Sequence, residues 1–386
     1  MKITAHPIWL VGFRPFFTLA CLAGSGLPVL WVLVYLHGMR GPQTALTLMQ
    51  WHAHEMFFGF GWAVLGGFLL TATKNWVGVR GFHGNALIFL SCAWLFERVG
   101  MWSGGTWPPL LSLISNYLFL TAILAMLLWT LLRHRRTDTF RDNLVFILIL
   151  PLFLAAKHLM LSAEYFQHGW SMTIGLFRMA FLVMLERTLT QFMRNVFQVD
   201  ILRNAALDAT IKLLGGVLVF APWLPADALM VTCALLAVLL LVRLAFWHPH
   251  LALRRLEIGI MYLGYVALAL QLLIEVLAWG DHPGWIGSVS VHVFTFGVMG
   301  LIIPAMMIRI AKGHTGRPVK FDRVDKGVLR IAILAFVLRV LVPQFFPAGY
   351  AGWITLSAVC WCLVFAVLGW RHIPQLLQPR ADGKEH

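Results

Sequence analysis

The sequence predicts an all-α, polytopic membrane protein, with about twelve transmembrane helices in one bundle and both termini cytoplasmic. Three observations carry this. Hydrophobic residues make up 60% of the 386-residue chain and charged residues only 12%, where a soluble domain carries about a quarter charged. Apolar stretches of about 20 residues, the length of helix that crosses a bilayer core, recur from end to end. The basic residues behind a formal net charge of +14 gather on alternate connections between those stretches, which is the positive-inside pattern.

The apolar stretches run over 15–36, 50–73, 84–102, 109–132, 143–163, 172–193, 206–223, 228–247, 256–279, 286–310, 326–345 and 350–370. Lys2 and Arg14 precede the first, and no small-residue cleavage site follows it, so it reads as an uncleaved span. Lys74 and Arg80 close the second, and Arg133, Arg135, Arg136 and Arg141 close the fourth. The sixth is the most polar, with Arg178, Glu186 and Arg187 inside it; Arg194 and Arg203 follow it. The seventh is short. Arg254 and Arg255 follow the eighth, and Lys312, Arg317, Lys320, Arg323 and Lys326 follow the tenth. Arg371, Arg380 and Lys384 follow the last. The opposite connections hold Arg40 alone, with Arg98 and Lys157 nearer helix ends. Twelve spans consume about 240 positions and leave no room for a sizeable extramembrane domain, so 1–386 reads as a single transmembrane domain. The same one-sidedness accounts for the basic balance without nucleic acid as a partner. All five cysteines (Cys21, Cys92, Cys233, Cys360 and Cys362) fall inside apolar stretches, which argues against a disulfide framework. No Cys-x-x-Cys-His occurs, which argues against covalently attached c-type haem.

Orientation turns the 15 histidines into a map. His6, His83, His134, His248, His250, His314, His372 and His386 fall on the inner side, and His37, His168 and His282 in short outer loops, where solvated side chains are the ordinary explanation. The other four are within the membrane. His52 and His54 sit near the outer end of the second span, and His292 lies about 9 Å in from the outer end of the tenth. His158, about 22 Å up the fifth span, reaches the same outer half. Polar side chains are costly in a bilayer and mark sites, and imidazole is a ligand for iron, copper and zinc. His52 and His54 are about 200° apart around a helix, so they serve different partners: one as an axial haem ligand, the other for a second metal or a hydrogen bond. Glu55 is placed to orient a neighbouring imidazole. Gly59, Gly61, Gly66 and Gly67 suit either close helix packing or a bulky flat guest. Arg178, at the depth of the histidines, suits haem propionates or a buried pair with Glu164 or Glu275. Glu186 with Arg187, and Arg309, lie nearer the cytoplasm as an internal ion pair or an entry path.

Three motifs carry a resemblance. The stretch Trp51-His52-Ala53-His54-Glu55-Met56-Phe57-Phe58-Gly59-Phe60 continues through Gly67-Phe68-Leu69-Leu70-Thr71-Ala72 to Asn75-Trp76-Val77-Gly78. With Val11-Gly12-Phe13-Arg14-Pro15-Phe16-Phe17, and with His292, Gly297 and Gly313-His314-Thr315-Gly316-Arg317-Pro318, it resembles the NnrS family over nearly the whole chain. Lys74 stands where that family has proline. In Leu185–Asn195 only Arg187, Phe192, Arg194 and Asn195 match a family stretch that otherwise carries glycines and proline. The resemblance implies a bacterial inner (cytoplasmic) membrane protein of twelve helices carrying haem b and copper, linked to nitric oxide metabolism, denitrification and resistance to nitrosative stress. A weaker likeness in layout links the chain to haem–copper oxidase catalytic subunits, which hold a haem between histidines of their second and tenth helices; fold likeness does not transfer activity.

The leading expectation is therefore a haem-binding and copper-binding protein. His54 and His292 are its candidate axial ligands, His52 and His158 candidates for a second metal, and Arg178 a candidate cofactor contact. Its expected partners are the lipid bilayer, nitric oxide or a related small molecule, and a membrane electron donor. The competing expectations are a secondary transporter, which predicts internal repeats and broken helices around a midplane site, and a haem or copper delivery protein holding its cargo transiently.

Overall fold

Every apolar stretch folds as helix, because a backbone in hydrocarbon has to satisfy its N–H and C=O groups within its own segment. The structure is a computed structural model describing residues 3–140, 142–278 and 284–384; Lys2, Arg141, His282 and His386 lie outside the described residues. In chain order the helices are α1 (Phe13–His37), α2 (Leu48–Val77), α3 (Asn85–Ser103), α4 (Pro109–Arg133), α5 (Asn143–Leu161) and α6 (Phe166–Phe197). They continue as α7 (Ala205–Val217), α8 (Ala226–Ala245), α9 (Leu256–Leu277), α10 (Val289–His314), α11 (Arg323–Phe345) and α12 (Tyr350–Leu376). No strand occurs among the described residues, and all five cysteines are free.

Counting α7 together with the turn that follows it as one span, Ala205–Trp223, eleven segments among the described residues are long and apolar enough to cross a membrane, so the chain is a multi-pass all-α membrane protein. The exception, α6, has the length at 32 residues but carries Arg178, Glu186, Arg187 and Arg194. Each residue from Met172 to Ala180 is buried, so its polar groups answer to protein neighbours and not to lipid. The short seventh stretch divides into α7 and a tighter 3₁₀ segment, Leu218–Trp223, where Pro222 prevents the α-helix from continuing.

The helices form two compact units, one of residues 1–170, 307–319 and 365–386, the other of 171–306 and 320–364. In the first, α1 lies hard against α2. A Cβ on Gly12 would fall 2.4 Å from Leu70 Cβ, and one on Gly67 2.6 Å from Phe16 Cβ. The Phe13 N–H donates to Thr71 Oγ1 at 2.9 Å. Arg14 Nη1 donates to the carbonyls of Leu376 and Gln378 at 2.6 and 2.7 Å, taking up groups that the end of α12 leaves without a helical partner. Arg317 holds the Gln378 side chain, and Ala381 N–H donates to the Thr315 carbonyl at 2.9 Å. Next to it Arg380 clasps Asp382, and its N–H donors hold that carboxyl well below the usual carboxylate range. The sequence motifs at 11–17, 67–72 and 313–318 thus share one knot that closes the end of this unit.

In the second unit small residues again allow close helix approach. Gly264 of α9 faces Ile302, where a Cβ would lie 2.5 Å from its Cγ1, and Gly297 of α10 lies against Ala267 and Phe336. Three helices contain a wide π turn: Glu55–Gly61 in α2, Val293–Met299 in α10 and Val337–Leu341 in α11. Such turns are rare and concentrate at functional sites.

The tight α1–α2 contact predicts that Gly12→Ala lowers stability by about 1–3 kcal/mol through overpacking. Gly26→Ala on the same helix, with nothing within 4 Å of the added Cβ, should be neutral or slightly stabilising. Thermal denaturation of the two variants in detergent reads the difference.

Candidate functional site

The first unit buries an ionic cluster around His54. This residue ends the opening α-helical part of α2, and Glu55 begins the π turn. His54 Nδ1 lies 3.2 Å from Glu55 Oε1, and Nε2 lies 3.3 Å from Glu97 Oε1 of α3. Arg98 sits 3.0 Å from Glu55 Oε1 and 2.8 Å from Glu97 Oε1, and Lys157 of α5 bonds to Glu97. The Arg98 contacts are close ion pairs, and the His54–Glu97 contact a close approach, without the alignment of hydrogen bonds. His54, Glu97 and Lys157 are all at 0% side-chain exposure. Two carboxylates face two fixed cations, so the cluster is neutral around the imidazole, the condition for holding ions at this depth.

The π turn builds the seat. Its widened backbone presents the Gly59 carbonyl to Trp94 Nε1 at 3.0 Å, and the Arg98 guanidinium lies over the Trp94 ring at 5.3 Å. A Cβ on Gly59 would fall 2.2 Å from Arg98 Nη1. The absent side chain at 59 therefore accommodates a guanidinium. Gly66 and Gly67 are filled by Ile123 and Phe16, which is helix packing.

The other first-unit histidines point elsewhere. His52 stacks on Trp31 of α1 at 4.0 Å between centroids, as the 200° separation from His54 requires. His158 is exposed on the unit's surface and shares a 2.8 Å hydrogen bond with the Tyr117 hydroxyl.

The second unit holds the remaining candidates. His292 immediately precedes the π turn of α10. Its Nδ1 donates to the Ser288 carbonyl at 2.7 Å, so Nε2 carries the lone pair, and Arg339 Nη2 donates to it at 3.0 Å. Arg339 belongs to the π turn of α11, with the Tyr350 hydroxyl 3.4 Å from Nη1. Arg178 donates to Gln271 Oε1 at 3.0 Å, and Gln271 passes the contact to Glu275, which Ser290 also bonds. Arg178 thus reaches the Glu275 carboxylate through an intervening amide.

A further ionic group lies among α6, α7, α8 and α9. Glu186 meets Arg203, Lys212 at 3.0 Å and Arg243 at 3.3 Å. Asp208 meets Arg203 and Arg243, and Arg243 also donates to the Tyr265 hydroxyl at 2.9 Å. Glu186, expected to pair with its neighbour Arg187, thus draws cations from three other segments. Sequence reasoning missed Glu97, Asp208, Arg243 and Arg339 as site residues. Each is a charge inside an otherwise apolar stretch, and that was the available signal.

What these groups can do follows from their contacts. Around His54 the places a metal cation would take are filled by Arg98 and Lys157. Among the described residues no three His, Cys, Asp or Glu side chains form a ready metal cage. At His292 the imidazole is anchored through Nδ1, as second-nitrogen contacts anchor ligating histidines, while Nε2 accepts from Arg339, which a metal there would have to displace.

Apolar spans, intramembrane ion clusters and a histidine so anchored define a polytopic all-α membrane protein with polar sites inside the bilayer. The family model described as NnrS protein matches residues 7–380. The chain belongs to the NnrS family, and membership supports a role in the nitric oxide response. A comparison with curated proteins found no match.

The cluster predicts that Glu97→Gln, which leaves Lys157 and Arg98 facing a neutral amide, costs about 3–5 kcal/mol of stability. The double variant Glu97→Leu/Lys157→Met should cost clearly less than the sum of its single changes, measured by denaturation in detergent.

Proposed function

We propose that this protein serves the nitric oxide response as a haem-binding protein of the bacterial inner membrane, with His292 as an iron ligand near the outer face. The observation that carries the reading is the His292 geometry: Nδ1 fixed on the Ser288 carbonyl, which leaves Nε2 as the acceptor nitrogen, held here by Arg339. A carbonyl on the second nitrogen sets tautomer and ring direction, as it does in metal-ligating histidines. Bound haem b supplies an iron able to take a diatomic gas or to pass one electron, according to whether one axial position is open. The protein's own part is to hold the imidazole, to keep the site at low dielectric and to receive electrons from a membrane donor.

His54 remains the candidate ligand of the first unit, and its use for iron requires the Glu55 and Glu97 contacts to open. Copper is the further element of the reading, with His52 and His158 as its candidates. Both are engaged, His52 on Trp31 and His158 with Tyr117, so a copper ion there requires the imidazoles to turn. The competing transporter reading draws on one observation, the buried His54–Glu97–Lys157 set, whose groups can hold and pass protons.

Absorption spectra of the detergent-purified protein, oxidised and dithionite-reduced, with pyridine haemochrome and copper quantification, separate the two. A b-type Soret band that is lost or shifted in His292→Ala is the expected result. Colourless, metal-free protein after expression with ample haem and copper overturns the haem reading and leaves the transporter.

A further inference from the structure

Arg339 differs from the other guanidiniums at the ion clusters. Arg98 faces Glu55 and Glu97, Arg243 faces Glu186 and Asp208, and Arg178 reaches Glu275 through Gln271. Among the described residues, Arg339 meets only neutral groups: the His292 lone pair, the Tyr350 hydroxyl, and the Tyr350 ring at 5.7 Å. It lies six residues before the end of α11, about 9 Å along the helix axis. A guanidinium seeking the aqueous surface would extend along the helix towards that end. This one bonds to His292 instead.

The surroundings are built around it. Gln344 pairs with both the N–H and the carbonyl of Ile286, tying the loop before α10 to α11. Gly287, at φ +76°, leaves the space of the Tyr350 hydroxyl, which a Cβ would approach to 2.2 Å. The Ser288 carbonyl then fixes His292. A cation beside a ligand-type nitrogen, with no carboxylate against it among the described residues, points to a place for an anion.

We propose that Arg339 is the carboxylate-binding residue of the His292 site, which therefore takes a metal group carrying its own anions, a haem with its propionates, in preference to a bare copper ion. This rests on the haem reading of His292. When Nε2 is given to iron, the half-buried Arg339 loses that acceptor and keeps only a phenol, so its charge is left without a matched partner inside an apolar span. A propionate restores a planar two-oxygen acceptor matched to the guanidinium fork. A copper ion at Nε2 would place a second positive charge beside the first and bring no acceptor.

The test compares haem with haem dimethyl ester, identical in iron chemistry but without propionate charges, titrated into haem-free full-length protein and followed by the Soret band. The wild type should bind haem roughly ten- to a hundredfold more tightly than the ester, as for one charge-assisted contact. Arg339→Gln should lose that preference while still binding both, Arg339→Lys should keep part of it, and His292→Ala should weaken both. The midpoint potential of bound haem should fall in Arg339→Gln, because a cation near the iron favours the reduced state. A preference for haem unchanged in Arg339→Gln overturns the assignment alone. Copper bound to haem-free protein and lost in His292→Ala overturns the exclusion of a bare cation. A wild type that takes up neither porphyrin overturns the haem reading and this proposal with it.

Discussion

An ion in hydrocarbon must bring its partner with it, and that constraint organises this protein more than any helix propensity does. The cost of an unpaired buried charge is several kcal/mol, more than any one helix contact returns. The first unit meets it by gathering Glu55, Glu97, Arg98 and Lys157 from three helices around one imidazole. The second meets it twice, once at Glu186 and Asp208 and once through the Arg178–Gln271–Glu275 relay. Each set joins helices distant in sequence, so each also acts as a tertiary crosslink that exists only when those helices are in register.

The same constraint explains what the sequence disclosed and what it withheld. Spans are legible because apolarity is a local property: α1 to α5 and α8 to α12 lie within a few residues of the stretches read from composition. Even α6, the least apolar, falls where the pattern placed it. Pairing is not local. Glu97 and Lys157 stand 60 positions apart, and Arg339 and His292 stand 47 apart. Counting basic residues by loop assigned Arg98 and Lys157 to helix ends and passed over Arg339, because a loop count has no place for a cation inside a span. The glycines of α2 were open to two readings for a related cause: a gap shows in the sequence, but not the side chain that fills it. At 59 it is an arginine; at 66 and 67 it is packing.

Motif strength proved a poor guide to chemistry. The stretches at 11–17, 67–72 and 313–318 support the family resemblance as strongly as the histidines do, yet their residues close one end of the first unit through Arg14, Thr71 and Thr315. Their chemistry is the satisfaction of backbone groups where α12 ends and its tail turns back. The π turns are the better pointer. Two begin immediately after His54 and His292, and the third contains Arg339. Each gives up regular helical bonding beside a residue whose side chain is polar and inside the membrane.

The two π-turn histidines are nevertheless in opposite situations, and the difference bears on function. Both nitrogens of His54 face carboxylates that fixed cations already neutralise, so any group entering there must displace two carboxylate contacts in a buried cluster. His292 is fixed at one nitrogen by a backbone carbonyl and accepts from Arg339 at the other. Exchanging the Arg339 contact leaves the carbonyl anchor in place, provided the entering group offers the arginine a new acceptor. On the proposed haem reading, the second unit is where a ligand would enter at the smaller cost, and the Arg339 charge beside His292 would favour an anionic one.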